Sequence, residues 1–514
     1  MELPKPRTYQ EEIIQKAKTQ NTLVVLPTGL GKTLIALYLA IHRIKQYPKS
    51  KILMLAPTRP LVEQHLNYFQ KYLPELFADL QLFTGTIAPS KRKELFRTAD
   101  IIFSTPQCIA NDLRSSLYSL HEVSLLIIDE AHRCLKNYDY THVTKKYNEQ
   151  AEHPLILGLT ASPGSDISKI KEICAHLNIQ EIELRSRESE DVKPHIQERE
   201  FQKVEVPFPT EFIEIKVLLK RIYEGRVNEL RDKNLLYGPA NKIALLKLQT
   251  SLAARMSPQN PYIYYALSLT AQAIKIAHAI ELLETQTLSG LYNYLKEIQK
   301  QAAEGKSKAV KTLSNLPEFN ASLISLSLLL AQKREHPKVE ESAVLIENEL
   351  KENKNAKIIL FTQFRQTAAT LHHRLSQIEG AKPVMFIGQA KKNNLGLSQK
   401  EQKAVIEEFK SGEKNILIAT SIGEEGLDIP EVNAVIFYEP IPSAIRKIQR
   451  AGRTARLSKG KLIILITKDT RDEINHYAST AREKKMHKSI ESIKADLKFQ
   501  KDNQQKSKSL SEFL

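Results

Sequence analysis

An apolar run, a glycine-containing loop and an apolar-periodic segment follow one another over residues 23–40. Residues 23–26 are all Leu or Val, which is typical of a buried strand, and residues 34–40 have the pattern of a helix packed on a sheet. A glycine-containing loop between a buried strand and a helix is the setting in which proteins bind phosphate groups. We therefore predict a parallel α/β sheet with a nucleotide bound at this loop.

The residue types in the loop suit a triphosphate. Gly29 and Gly31 let backbone N–H groups approach phosphate oxygens, and the start of the next helix adds partial positive charge. Lys32 can reach the β and γ phosphates, and the Thr33 hydroxyl can bind Mg²⁺. Leu26 stands where the generic motif has its first glycine. The predicted nucleotide-binding residues of the loop are Leu26, Pro27, Thr28, Gly29, Leu30, Gly31, Lys32 and Thr33.

An acidic string follows a second apolar run. Asp129, Glu130 and His132 come directly after residues 125–128, which are all Leu or Ile. Asp129 would hold Mg²⁺ from the side opposite Thr33, and Glu130 would act as general base on the attacking water. Either string alone could be an ordinary turn, but their order fits one metal and phosphate site on one parallel sheet.

Composition restricts what else the chain can be. Its 514 residues are too many for one hydrophobic core and suggest about three domains. Lys and Arg number 75 against 59 Asp and Glu, and the net charge of +16 favours a polyanionic partner such as nucleic acid. No apolar run approaches the roughly 20 residues of a membrane span, and the first residues lack a signal-peptide pattern. We expect a cytoplasmic protein, nucleoid-associated in a prokaryote, without a membrane partner.

Apolar runs alternate with helix-like stretches in two separate parts of the chain. This alternation is typical of doubly wound α/β domains with parallel sheets, and a nucleotide site is expected in the cleft between two such halves. The predicted strands are residues 23–26, 51–56, 101–104, 125–128, 155–159, 357–361, 384–387, 415–419, 434–438 and 461–466. The predicted domains are a first α/β domain at 1–188, an all-helical insertion at 189–345, a second α/β domain at 346–480 and a basic helical or linker tail at 481–514.

A third string, at residues 449–456, completes a recognisable set. Together with the phosphate loop and the acidic string, it resembles the ordered motifs of a superfamily 2 helicase, and the resemblance extends over both α/β domains. It implies that both are RecA-like. Residues 6–10 are similar to the adenine-recognition motif, which implies nucleotide contacts for Arg7 and Gln10.

The resemblance implies further roles. Gly426 and Asp428 would contact the nucleotide, and Gln449, Arg453 and Arg456 would be catalytic. The two arginines match arginine fingers, which stabilise charge on the transferring phosphoryl group only when the cleft has closed. Coupling of hydrolysis to strand movement is implied for His132, Thr160 and Ser162. Contacts with a nucleic-acid strand are implied for Arg59, Thr84, Gly85, Thr105, Gln363 and Thr420.

The predicted insertion has a candidate surface of its own. Residues 233–280 contain no Asp or Glu, whereas Lys242, Lys247 and Arg255 supply positive charge that could lie along a phosphate backbone. Three tyrosines could stack on exposed bases, or could instead form the core of a partly buried helical hairpin. Both interpretations stay open for Tyr262, Tyr264 and Tyr265.

A helical insertion between two motor domains resembles the family of archaeal Hef and Fanconi anaemia group M proteins. This resemblance implies an ATP- and Mg²⁺-dependent DNA helicase or translocase that remodels replication forks, Holliday junctions or other branched DNA. RIG-I-like double-stranded RNA sensors share the insertion and are the alternative, although Ala131 in the acidic string, where the sensors have cysteine, favours the first family. An alternative of another class is a nucleotide-gated nucleic-acid scaffold without motor activity.

The resemblance also implies partners. Hef carries a C-terminal nuclease module, and this sequence contains no Glu-Arg-Lys string, so we expect a nuclease module beyond these residues. The last residues resemble a sliding-clamp peptide, with Ser507 in place of the usual Gln. A chance match is the alternative for its apolar positions, Leu510, Phe513 and Leu514.

Overall fold

In the part of the chain that the structure describes, two parallel sheets with their covering helices, a helical bundle and a long C-terminal helix are present. The computed structural model describes residues 3–74, 77–195, 199–257, 260–388, 396–420, 429–441, 443 and 460–511, with side chains to residue 498.

A seven-stranded parallel sheet carries the first α/β domain, with strand order β3-β4-β2-β5-β6-β1-β7. The inner strands are nearly continuous apolar runs because helices cover both faces and bury two cores. The strands are β1 Thr22–Val25, β2 Lys51–Leu55, β3 Leu80–Phe83, β4 Ile101–Ser104, β5 Val123–Ile128, β6 Ile156–Thr160 and β7 Glu181–Leu184. The helices are α1 Thr8–Ala17, α2 Lys32–Gln46, α3 Arg59–Tyr72, α4 Pro89–Thr98, α5 Pro106–Arg114, α6 Asp139–Gln150 and α7 Ile167–His176.

The second sheet is also parallel and has six strands in the order β10-β11-β9-β12-β13-β8. Its strands are β8 Arg199–Val206, β9 Ile358–Phe361, β10 Pro383–Phe386, β11 Ile416–Ala419, β12 Ala434–Phe437 and β13 Gly460–Thr467. Within the described residues, the helices of this domain are α14 Pro337–Glu352, α15 Arg365–Leu375 and α16 Gln399–Ser411. The prediction placed residues 199–206 in the helical insertion and was wrong there, because these residues pair with β13 along their whole length as an edge strand.

A helical bundle lies between β8 and α14 in the chain. Its helices are α8 Glu211–Asp232, α9 Lys242–Ala253, α10 Pro261–Thr285, α11 Leu288–Ala303, α12 Lys308–Ser314 and α13 Pro317–Ala331. Among the described residues, α10 is the one helix long and apolar enough to cross a membrane, but 61% of its most apolar window is buried inside the protein. Its apolar residues form a core with α8, α11 and α13, which is the position of a central bundle helix.

The C-terminal helix, α17 (Arg471–Ser511), follows the last strand of the second sheet and reaches the first domain. Met486, Ile490 and Ile493 are at most 3% exposed and belong to the same core as strands β1, β2 and β5. Ion pairs flank this contact, with Lys171 Nζ 3.0 Å from Asp496 Oδ2. Over residues 481–498 the predicted tail is therefore helical, as one of its two interpretations had it, but it is a packed element rather than a linker with little to bury.

Candidate active site

The predicted phosphate loop connects β1 to α2 at the carboxyl edge of the first sheet. Gly29 and Gly31 have φ angles of 85° and 81°, a region that glycine enters without steric cost, so both glycines are required by the backbone itself. Gly31 is the residue before α2, and Lys32 begins the helix. Lys32 Nζ donates a hydrogen bond to the Leu26 carbonyl at 2.8 Å. The loop thus has the backbone shape that the sequence predicts.

Residues of the adenine motif pack against this loop and hydrogen-bond to it. Gln10 is 3% exposed, and its Nε2 donates to the Leu30 carbonyl at 3.0 Å while its Oε1 accepts from the Arg7 backbone N–H at 2.8 Å. Tyr9 donates to the same Leu30 carbonyl at 3.0 Å. A side chain at Gly31 would collide with the Gln10 amide nitrogen. Whatever it contributes to base recognition, Gln10 braces the phosphate loop.

The two carboxylates lie at the end of β5. Asp129 is 5% and Glu130 is 8% exposed. The Asp129 backbone N–H donates to Leu55 of β2 at 2.9 Å, and its carbonyl accepts from the Tyr140 hydroxyl at 2.7 Å. Burial raises the pKa of Asp129, but the hydrogen bond from His65 and the nearby ammonium group of Lys32 lower it by more, so the net pKa lies below its ordinary value. Asp129 is therefore ionised and placed within the field of the loop lysine.

The three predicted coupling residues form one hydrogen-bonded chain. His132 Nδ1 lies 3.2 Å from both Glu130 Oε2 and Thr160 Oγ1, and only the second contact has hydrogen-bond geometry. Thr160 Oγ1 in turn accepts from the Ser162 backbone N–H at 3.1 Å. The Ser162 hydroxyl donates to the sulfur of Met486 on α17 at 2.8 Å. The hydrogen-bonded chain thus runs from His132, beside the general-base candidate Glu130, to the C-terminal helix.

The strand order divides the carboxyl edge of the sheet into two halves. The phosphate loop, the acidic string and the coupling residues follow β1, β5 and β6, which are adjacent in the order β5-β6-β1. The predicted strand contacts follow β2, β3 and β4, which are adjacent in the order β3-β4-β2. Arg59 and Gly85 are exposed, Thr105 is half-buried, and Thr84 is buried with its hydroxyl 2.7 Å from that of Thr86. Nucleotide and strand candidates therefore occupy neighbouring halves of one edge.

Family comparisons agree with this arrangement. The DEAD/DEAH box helicase family matches residues 7–170, a family described as putative ATP-dependent RNA helicase, helical bundle, matches residues 211–336, and the helicase conserved C-terminal domain matches residues 340–458.

Similar proteins come from archaea and eukaryotes. The putative ATP-dependent RNA helicase MJ1505 of Methanocaldococcus jannaschii is 39% identical over 95% of this chain and 61% of its own length. The ATP-dependent DNA helicase fml1 of Schizosaccharomyces pombe is 32% identical over 90% of this chain and 57% of its own. This chain thus spans less than two thirds of either relative.

A solved structure decides the family. The Hef helicase domain of Pyrococcus furiosus is 42% identical, with a TM-score of 0.70 over 92% of this chain and 98% of that domain. The chain belongs to the Hef and Fanconi anaemia group M type of superfamily 2 helicases. This confirms the resemblance, the predicted fold class and the enzyme class of an ATP-dependent helicase.

In this helicase, the second domain presents part of its predicted set. Gln363 follows β9 and is exposed. Thr420 follows β11 and is 4% exposed, with its backbone N–H donating to Phe386 at 3.1 Å. The other candidates lie outside the described residues and keep the status of predictions: Gly426, Asp428, Gln449, Arg453 and Arg456.

The insertion of this helicase exposes most of its candidate surface. Lys247 and Arg255 are exposed, whereas Lys242 pairs with Glu281 of α10 at 2.8 Å. The three tyrosines lie on the surface rather than in a core, since they are 40 to 46% exposed. Two of them face a lysine, because Lys233 Nζ lies 6.0 and 5.4 Å from the ring centres of Tyr262 and Tyr265.

Four residues around the nucleotide site escaped sequence reasoning. Tyr9 is the one with a local signal, since it precedes Gln10 within the adenine motif. Tyr140, His65 and Met486 contact motif residues that are 11, 64 and 324 positions away in the chain. A single sequence carries no signal for contacts of that separation.

Proposed function

We propose that this helicase uses ATP to move along one strand of forked or branched DNA while its helical insertion holds the duplex, so that replication forks and Holliday junctions are unwound or remodelled. The observation that carries the proposal is the division of the sheet edge. Strand candidates on β2, β3 and β4 stand directly beside nucleotide candidates on β5, β6 and β1. A conformational change caused by ATP binding or hydrolysis could therefore reach a bound nucleic-acid strand through adjacent strands of the sheet.

The residues present fit an ATP and Mg²⁺ site. A hydroxyl and a carboxylate, from Thr33 and Asp129, are the oxygen ligands that Mg²⁺ prefers. Two buried oxygens, Thr28 Oγ1 and Glu130 Oε2, have no hydrogen-bond partner among the described residues, as expected where substrate or water completes a site. Bound Mg²⁺ would supply electrostatic stabilisation of the phosphoryl group.

The chain's own groups would carry the remaining steps. Lys32 would neutralise charge on the β and γ phosphates, and Glu130 would orient the attacking water and take its proton. Arg453 and Arg456 would reach the γ phosphate from the second domain. Arg453→Ala should therefore reduce turnover while leaving ATP binding intact. Undiminished turnover would reject its finger role.

Surface chemistry of the insertion supports a nucleic-acid contact. Arg255 and Lys247 are exposed, and the same segment of the chain carries Met256, Ile243 and Tyr237, which are 50, 66 and 76% exposed. Positive charge with exposed apolar and aromatic groups suits a phosphate backbone beside unstacked bases.

The salt dependence of binding tests this contact. Replacing Lys247 and Arg255 by alanine should weaken DNA binding and reduce the slope of log affinity against log salt by about 1 for each phosphate that is no longer neutralised. Exchanging Lys242, which is paired with Glu281, should change the slope less. An unchanged slope in the double variant would make the insertion a spacer.

The deciding experiment compares stimulation of ATP hydrolysis by forked DNA, a Holliday junction and duplex RNA, with strand separation measured in parallel. Branched DNA should stimulate most. Preference for duplex RNA would favour the RNA-dependent function that the name of the Methanocaldococcus relative suggests. Nucleotide-dependent binding without turnover would favour the scaffold.

Lys32→Ala is the matched control for that comparison. It should abolish turnover with little loss of DNA binding, because the lysine serves the phosphates. Retained hydrolysis would refute the assigned site. The nuclease module, the sliding clamp and the cytoplasmic location remain separate predictions; of the clamp-like residues, Phe513 and Leu514 lie outside the described residues.

A further inference from the structure

His65 on α3 makes a direct contact with the metal-binding candidate Asp129. Its Nε2 lies 2.8 Å from Asp129 Oδ2, and the two residues are 6 and 5% exposed. The backbone of Asp129 is fixed separately, by Leu55 and Tyr140. His65 is therefore the side chain that restrains the carboxylate, together with a hydrogen bond from the Glu130 backbone N–H.

The direction of this hydrogen bond follows from the other ring nitrogen. His65 Nδ1 is buried and has no hydrogen-bond partner within the described part of the chain. A proton on Nδ1 would be a buried donor without an acceptor, which is unfavourable. The proton is therefore on Nε2, and Nε2 donates to the carboxylate.

Helix α3 also carries a predicted nucleic-acid contact and a contact with the second domain. Glu63, half a turn before His65, accepts a hydrogen bond from Arg59 Nε at 2.7 Å. The same carboxylate lies 3.5 Å from Lys403 Nζ on α16 of the second domain. Thr33 and His65 line one cleft of about 570 Å³ together with residues of α16. Seven consecutive residues of α3 thus include the predicted strand contact Arg59, the contact of Glu63 with the second domain and the contact of His65 with the Asp129 carboxylate.

We propose that His65 is a positioning residue that holds Oδ2 of Asp129 and leaves Oδ1 for the Mg²⁺ of the bound nucleotide, so that α3 connects strand contact to metal binding. The proposal rests on the ATP and Mg²⁺ site proposed above. The hydrogen bond fixes one carboxylate oxygen, so its loss should mainly lower the affinity for Mg²⁺. Removing a group that orients a metal ligand typically lowers metal affinity 10 to 100-fold.

The test compares three replacements. His65→Leu removes the donor, His65→Asn is polar but too short to reach, and His65→Gln carries an N–H at about the distance of Nε2. Leu and Asn should raise the Mg²⁺ concentration for half-maximal ATP hydrolysis by roughly tenfold or more. Gln should stay near the wild type.

A binding measurement supplies a readout independent of turnover. The affinity for a fluorescent ADP analogue is measured with Mg²⁺ and with EDTA. Wild type and His65→Gln should bind more tightly with Mg²⁺, whereas the Leu and Asn variants should lose that gain and keep the affinity seen in EDTA. Val62→Ala, at a 1% exposed position of the same helix, is the control for reduced packing and should keep the gain.

Three results would overturn the proposal. The Leu and Asn variants could keep the wild-type Mg²⁺ requirement, or Val62→Ala could shift it equally. Wild-type protein could also bind the analogue no better with Mg²⁺, and then the metal assignment of Asp129 would fall as well. DNA could fail to stimulate turnover while the Leu and Asn variants, but not His65→Gln, still lose the Mg²⁺-dependent gain in binding. In that case the proposed DNA function is wrong and the proposed role of His65 is supported.

Discussion

At the scale of single residues, position 31 of the phosphate loop requires glycine for two independent reasons. Gly31 is confined by its left-handed backbone and by the Gln10 amide, which occupies the space a side chain would need. Sequence reasoning finds the first reason, since glycine is expected in such loops. The second depends on a contact between α1 and the loop, which only the folded chain reveals.

Gly31→Ala should therefore weaken nucleotide binding by roughly tenfold or more. The Gln10 amide would have to leave Leu30, and losing one hydrogen bond to a charged phosphate costs about 1.5–3 kcal/mol. Gly238→Ala is the matched control, because Gly238 has a φ of 76° but nothing within 4 Å of an added Cβ. It should show the backbone cost of about 1–2 kcal/mol in stability with unchanged nucleotide affinity. Equal nucleotide binding by both variants would contradict the collision.

At the scale of elements, prediction succeeded for the inner strands of both sheets and for the edge strand β10, and failed at the other three edges. All ten predicted strands exist, as β1, β2, β4, β5, β6 and β9 to β13. The three that were missed, β3, β7 and β8, are edge strands. An inner strand is covered on both faces and reads as an apolar run, whereas an edge strand such as Glu181–Leu184 mixes polar and apolar residues. The apolar signal is therefore weakest where the sheet ends.

The packing of helix α17 against the first domain escaped prediction for a related reason. Its buried residues, Met486, Ile490 and Ile493, have helical spacing but stand in a lysine-rich segment whose mean composition resembles a solvated tail. Ile490→Ala should destabilise the first domain by about 2–5 kcal/mol because it leaves a cavity in that core. Ile474→Ala, 68% exposed on the same helix, should cost less than about 0.5 kcal/mol. Thermal unfolding of both variants measures the difference, and similar midpoints would argue against the packing.

Glu281 of α10 gives the insertion a pH-dependent contact. Burial raises the pKa of Glu281, but hydrogen bonds from His278 and Lys242 outweigh it and bring the pKa to about 2, from an ordinary value of 4.5. A lowered pKa stabilises the fold above about pH 4.5 and loses that contribution as the pH falls towards 2.

Glu281→Gln should therefore lower stability at pH 7 by up to about 3 kcal/mol. The gap to wild type should persist down to about pH 5 and narrow below it. The exposed Glu297→Gln is the control and should show no such gap. Unfolding midpoints between pH 7 and 3 provide the measurement, and a pH-independent gap would contradict the assignment.

At the scale of the whole molecule, buried polar groups join the separate parts. Lys338 of α14 donates to the Thr285 carbonyl at the end of α10 and to Asp472 at the start of α17, both at 2.7 Å. Both charged side chains are fully buried. The bundle, the second domain and α17 therefore meet at one ion pair, and α17 continues from there to Ser162, a predicted coupling residue.

Deleting residues 481–514 should destabilise the first domain and reduce the stimulation of ATP hydrolysis by DNA, because Met486 and its neighbours leave that core. Deleting only residues 499–514 keeps the buried stretch and is the control. The two proteins are compared by thermal unfolding and by ATP hydrolysis with and without forked DNA. Equal behaviour of the two would show that the packed part of α17 is dispensable.

The route of the chain has a consequence for synthesis. The chain leaves the first sheet after β7, and the core of this domain is completed only by residues of α17, about three hundred residues later. At roughly 5–20 residues per second, a ribosome needs about 15 to 60 seconds to make that stretch. During this interval the emerging N-terminal portion shows an unfilled apolar face where Met486 and Ile490 will dock. A chaperone that shields such surfaces would be needed most before the final helix leaves the exit tunnel.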